Sequence, residues 1–263
     1  MPLISPASVP ESSSLSALAL VPPRYYAARM KKHDVDTPAL LLDLDVLEAN
    51  IAAMAAFFRD RPQKLRPHFK TPKTPEVARR QLEAGAIGIT AAKLGEAEVL
   101  ADAGLGPVLI ANQIVGRQKI DRLMDLLGRG EVIVAVESEH NIHELEEGAV
   151  RSGRAPQAII EVDVGMHRCG TTNPEETVEL VQRLTEGRVR YRGIMGYEGH
   201  CVMIEDAAER AEKAHTALER LSAHVRALRG AGLAPEIVSA GGTGTYDIAG
   251  AWPDVTEVQA GSY

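Results

Sequence analysis

From residue 38 onward short apolar runs alternate with amphipathic segments, and this alternation constrains the fold more than any other feature of the chain. The runs are ALLLDLD (39–45), KLRPHF (64–69), AIGIT (86–90), PVLIAN (107–112), VIVAV (132–136), AIIEVDV (158–164), YRGIMGY (191–197), EIVSA (236–240) and VTEVQAG (255–261). Their length and β-branched content predict strands. A first helix is expected over 46–59, where Leu47, Ile51 and Met54 share one face. Further helices are expected over 74–84, 93–103, 116–128, 139–151, 174–186 and 205–229, several followed by Gly at the C-cap. Strands apolar on both faces and separated by helices predict an α/β fold with a parallel sheet covered on both sides. A closed (β/α)8 TIM barrel and an open doubly wound sheet both satisfy this pattern. The barrel needs eight strands. The runs from 64 to 261 supply them, so the barrel is the expected fold, with residues 38–45 as a surplus strand outside the ring.

Residues 1–36, rich in Ser, Ala and Pro, are expected to form a flexible N-terminal arm, and 37–263 the barrel. The arm's apolar run LSALALVPP is too short for a bilayer and has no basic segment ahead of it. No later stretch approaches about 20 apolar residues, so no membrane span is expected. A net charge of -7 and a pI near 5.7 give no basic face for nucleic acid, which leaves small molecules as partners. Two cysteines, Cys169 and Cys201, are too few for a disulfide scaffold and point to a reducing compartment, the cytoplasm. The chain stops at VQAGSY, directly after a β-like run, from which a further domain beyond it is expected.

The working face of a barrel lies at the C-terminal ends of its strands. Lys70 stands at one such end, in KLRPHFKTPKTP, where Pro72 and Pro75 end the strand and stiffen the turn by fixing φ and restricting the residue before each. A partly desolvated lysine there gives up its proton readily and can form a Schiff base with an aldehyde; a solvated loop lysine is the competing reading. SAGGTGTYD follows the run at 236–240. Gly241, Gly242 and Gly244 let backbone N–H groups converge, and Thr243 and Thr245 add hydroxyls, which suits a phosphate as well as a tight connection. A lysine for an aldehyde and a cradle for a phosphate on one rim together point to pyridoxal 5′-phosphate.

The stretches PALLLDLDVLEANI, RPHFKTPKTPEVARRQLEAGAIGITAAKLGEAEVLADAG, EVDVGMHRCG, GIMGYEGH and SAGGTGTY, in that order, resemble the D-threonine aldolase and D-serine dehydratase family, fold-type III pyridoxal phosphate enzymes related to alanine racemase. The resemblance runs from about residue 36 to the last residue. It implies that Lys70 carries the cofactor and that Lys73 is a helix-start residue. It implies that Arg168 bonds near the cofactor's phenolic oxygen, against a rim ion pair, and that Tyr197 stands beside the pyridine ring, against a plain core role. Gly242, Thr243, Gly244 and Thr245 would take the phosphate, with Ser239 also a cofactor residue. Gln259 would face the pyridine nitrogen where alanine racemases carry an arginine, and an uncharged partner weakens the electron sink. His167 and His200 adjoin these motifs, but neither is assigned a catalytic role.

The same resemblance implies a divalent cation that polarises the substrate's β-hydroxyl, held by a His and an Asp or Cys of a β-domain following the barrel. That domain is expected to be missing from this chain, so none of its residues is assigned to the metal. The run at 38–45 would pair with it. The close pair in HNIH (140–143) is expected to face solvent. The expected activity is cleavage of D-β-hydroxy-α-amino acids to glycine and an aldehyde by a homodimeric aldolase. Dehydration of D-serine or 3-hydroxyaspartate, and non-enzymatic buffering of the cofactor, are the alternatives.

Overall fold

The computed structural model describes residues 31–263, so most of the arm expected over 1–36 lies outside the described residues. The chain divides into two units, Met1–Leu42 and Asp43–Tyr263. In the first, residues 31–42 hold one 3₁₀ turn, Lys32–Asp34, and no strand.

The second unit opens with α1 (Leu44–Phe58) and then alternates: β1 (Lys64–Leu65), α2 (Pro75–Glu83), β2 (Ile89–Ala91), α3 (Leu94–Asp102), β3 (Val108–Gln113), α4 (Arg117–Leu127), β4 (Val132–Val136) and α5 (Glu139–Ser152). It continues with β5 (Gln157–Glu161), α6 (Pro174–Thr185), β6 (Arg190–Met195), α7 (Ala207–Gly230), β7 (Ile237–Ala240), the four-residue α8 (Tyr246–Ala249) and β8 (Glu257–Val258). Side chains at the N-caps set several starts: Asp43, Ser138, Asn173 and Asp206 each accept backbone N–H groups of the first turn.

Eight parallel strands form one sheet in the order β1-β8-β7-β6-β5-β4-β3-β2. Three backbone bonds close the ring between its ends: Ile87 N–H to Leu65 O at 2.9 Å, Thr90 N–H to Pro67 O at 2.9 Å and Phe69 N–H to Thr90 O at 2.7 Å. The barrel is therefore confirmed over the open sheet, because no edge remains between β1 and β2.

Alternation along each strand separates two cores. Val132, Val134 and Val136 of β4 point to the helices with Val108, Ile110 and Ile160, while Ile133 and Ala135 point inward with Leu109, Ile159, Met195 and Ile237. The interior also holds an ion pair. Arg66 and Glu257, 5% and 2% exposed, meet at 2.8 Å, and the Arg66 Nη1 has no partner.

The surplus strand is the departure from expectation. Residues 39–43 have no regular structure, and 44–45 belong to the first turn of α1. A strand needs a ladder partner, and none reaches 39–43 among the described residues. The Asp43 carboxylate instead accepts N–H groups of Asp45 and Val46 at 3.1 and 3.2 Å, which commits the end of the run to the helix. Lys73 also differs: it lies in the turn ahead of α2 with φ 45°, and Pro75 is the first helical residue.

Candidate active site

The C-terminal strand ends surround a cavity of about 460 Å³. Lys70 reaches it from the turn after β1, Gln113 from the end of β3, Glu161 from β5, Tyr197 from beyond β6, Gly242 and Thr243 from the loop after β7, and Gln259 from beyond β8. Arg168 and Cys169 enter from the long connection between β5 and α6. Thus Lys70, Arg168, Tyr197, Gly242, Thr243 and Gln259, singled out from sequence, share one cavity. Ser239, Gly244 and Thr245 do not line it.

The Lys70 ammonium lies 5.1 Å from the centre of the Tyr197 ring, and the Arg168 guanidinium 5.7 Å from the same ring. Partial burial, and then the charge of Arg168, hold the Lys70 amine below the usual lysine range. Arg168 also pairs with Glu161 at 3.6 Å, so the rim ion pair weighed as the competing reading and a place at the cavity coexist. Burial pushes the Tyr197 phenol up, with the nearby Glu198 adding to the shift.

Beneath Lys70 lies a group that sequence reasoning passed over. His68, two residues earlier and just beyond β1, lines the cavity, and its Nδ1 accepts the Lys70 backbone N–H at 3.3 Å. Burial, and then the charge of Lys70, lower His68 to about 3, so the ring is neutral and carries its proton on Nε2. Gly261 packs against it: a Cβ there would stand 2.3 Å from the His68 carbonyl oxygen. Glu161 was missed as well. Buried at 3% exposure, it accepts from Gln113 Nε2 at 2.6 Å and from the Cys169 thiol at 3.0 Å. Burial, and then that contact, push the Cys169 thiol up to about 11, so it is a protonated donor.

The glycine loop after β7 is built for close approach. Gly241 has φ 79°, open to glycine at little cost, and a Cβ on Gly244 would meet the Val202 carbonyl oxygen at 2.2 Å. The Thr243 hydroxyl accepts the N–H groups of Gly261 and Ser262 at 3.1 and 2.8 Å, which ties the loop to the end of β8. The Thr245 hydroxyl is turned away from the cavity, donating to Glu198 at 2.6 Å. The Thr243 and Gly244 N–H groups have no acceptor among the described residues. Two free donors in a tightly packed glycine loop, part of which lines the same cavity as an amine of lowered basicity, fit a phosphate-bearing aldehyde. Gln259 donates through Nε2 to the Ser239 hydroxyl at 2.9 Å, which gives both a supporting place beside the cavity floor.

His167 and His200 do not line the cavity. His167 bonds Asp163 through Nδ1 at 3.0 Å. His140 and His143 face solvent, 67% and 66% exposed, beside Glu144 and Glu147. Among the described residues no group of three or more His, Cys, Asp or Glu side chains is placed to hold a metal ion. No described helix is long and apolar enough to cross a membrane, and both cysteines are free thiols.

A profile of the family described as "Alanine racemase, N-terminal domain" matches residues 42–263. D-threonine aldolase of Arthrobacter sp. is 35% identical over 250 residues, covering 95% of this chain and 65% of that protein. The crystal structure of D-threonine aldolase from Filomicrobium marinum superposes with a TM-score of 0.85 at 37% identity, over 88% of this chain and 62% of the other. D-threo-3-hydroxyaspartate dehydratase from Delftia sp. HT23 gives 0.80 at 31%, over 86% and 60%. The chain thus spans less than two thirds of the length of each of these relatives.

Proposed function

The chain belongs to the alanine racemase N-terminal domain family, and from that premise we propose that it binds pyridoxal 5′-phosphate and serves an aldolase that splits D-β-hydroxy-α-amino acids into glycine and an aldehyde. One observation carries this reading: Lys70 and residues 241–243 of the glycine loop open onto the same cavity. The names of the Arthrobacter and Filomicrobium relatives support the aldolase outcome. The Delftia relative makes elimination of the β-hydroxyl the competing outcome at the same site.

When bound, the cofactor supplies an electron sink for the bonds at the substrate's Cα. The chain's own residues set the conditions for it. Lys70, held below the usual lysine range, offers an unprotonated Nζ at lower pH than a free lysine does. His68 anchors the Lys70 backbone as a neutral acceptor. Arg168, steadied by Glu161, brings a fixed positive charge and planar donors to the cavity. Tyr197 offers a flat aromatic face, and the free N–H groups of Thr243 and Gly244 offer a phosphate site. Gln259 places an uncharged amide where the resemblance sets the ring nitrogen. A homodimer in a reducing compartment such as the cytoplasm, with a divalent cation at the substrate hydroxyl, completes the proposal.

The test is a spectrum followed by a product assay. The purified chain, incubated with pyridoxal 5′-phosphate, is expected to gain a visible absorption band that Lys70→Ala removes without loss of fold. Joined to a following β-domain of the kind the resemblance implies, and given D-threonine or D-threo-3-hydroxyaspartate and Mn²⁺, it should release glycine and an aldehyde. Ammonia in place of glycine would move the assignment to elimination, and a wild type without the band would end the cofactor reading.

A further inference from the structure

Glu198, in the turn after β6, is 1% exposed, and no cation lies in ion-pair range of it among the described residues. A carboxylate buried without a counter-charge is costly. The glycine loop supplies the side-chain and backbone donors to both oxygens of Glu198. Its Oε1 accepts the Thr245 hydroxyl at 2.6 Å and its Oε2 the Gly241 N–H at 3.2 Å. Having donated to Glu198, the Thr245 hydroxyl accepts the Gly242 N–H at 3.1 Å.

Three of the loop's donors are thereby turned back into the protein. The N–H groups of Thr243 and Gly244 are left over, and Thr243 is on the cavity wall. Glu198 itself does not line the cavity, and it follows Tyr197, which does. It therefore fixes the loop from behind and ties it in register with the aromatic wall.

We infer that Glu198 is a positioning residue for phosphate recognition: its carboxylate sets which loop N–H groups face the cavity. This rests on the proposed cofactor reading and adds to it a residue that touches neither the cofactor's expected place nor the substrate's. The role predicts a signature that a general loss of structure would not give, namely selectivity for the phosphorylated form of the aldehyde.

Wild type and Glu198→Ala are titrated with pyridoxal 5′-phosphate and with unphosphorylated pyridoxal, following the visible absorption of each complex, with thermal melts by circular dichroism as a check on folding. The variant should bind the phosphorylated form about 10- to 100-fold more weakly, the loss expected when a hydrogen-bonded anchor is removed, and bind pyridoxal as the wild type does. An unchanged ratio of the two dissociation constants, whether both weaken or neither does, overturns the inference. If Glu198→Ala does not fold, Glu198→Gln and Thr245→Val each remove one of the two anchors and should likewise weaken binding of the phosphorylated form relative to pyridoxal; no change in either overturns it equally. A wild type that binds neither aldehyde sinks the cofactor reading as well, whereas a selective wild type with an equally selective variant sinks this inference alone.

Discussion

Acidification is expected to destabilise the barrel through two buried imidazoles, His68 beside Lys70 and His224 on α7. Burial, and then the charge of Lys70, hold His68 at about 3, and burial holds His224 at about 4, both from an ordinary 6.5. At 8% and 3% exposure neither is screened by solvent to any extent. Both folded values lie below the unfolded value, so the stability they contribute is present above pH 6.5 and is lost as pH falls toward about 4. Each histidine contributes a slope of about 1.4 kcal/mol per pH unit near pH 5, where the unfolded chain is protonated and the folded chain is not. Glu198 works in the opposite sense, because burial raises its carboxyl and the folded state takes up that proton first. A comparison that changes only one histidine removes this offset. Urea unfolding of wild type and His224→Gln, at pH steps between about 5 and 6.5, provides it, and glutamine keeps a polar group beside the Thr177 hydroxyl, now 2.7 Å from the ring. The variant's free energy of unfolding should fall with pH less steeply than the wild type's, by about 1 kcal/mol per pH unit. Equal slopes would refute the argument that His224 is held neutral in the fold.

The Lys70 amine, lowered first by burial and then by Arg168, should be captured by an aldehyde and borohydride with a pH midpoint below the free-lysine value of 10.5. Arg168→Met should move that midpoint upward; mass spectrometry of the trapped adduct across pH checks both, and an unmoved midpoint denies the electrostatic coupling. Arg66→Met leaves Glu257 buried without its cation and should lower stability by about 3–5 kcal/mol in urea. The double change Arg66→Met with Glu257→Leu should recover most of that loss, since the uncompensated charge rather than the absent pair carries the cost.

The chain by itself determined the barrel, because the βα period is written in local apolar patterns: eight of the nine runs became strands, and the expected helices formed within a few residues of their predicted ends. It also pointed to residues just past strand ends that line the cavity, Lys70 and Gly242 with Thr243, since the segments following the strands of a parallel barrel build its mouth. Residues 39–43 were misread because a strand depends on a distant partner that no local pattern reports, whereas the Asp43 cap at the start of α1 is local. Tertiary structure alone decided which polar groups meet: His68 beneath Lys70, Glu161 on Arg168 and Cys169, and Glu198 behind the glycine loop. Those contacts join residues as far as 47 positions apart, as Glu198 and Thr245 are. Periodicity tells which face of an element a residue takes, and only closure of the ring tells what stands opposite it.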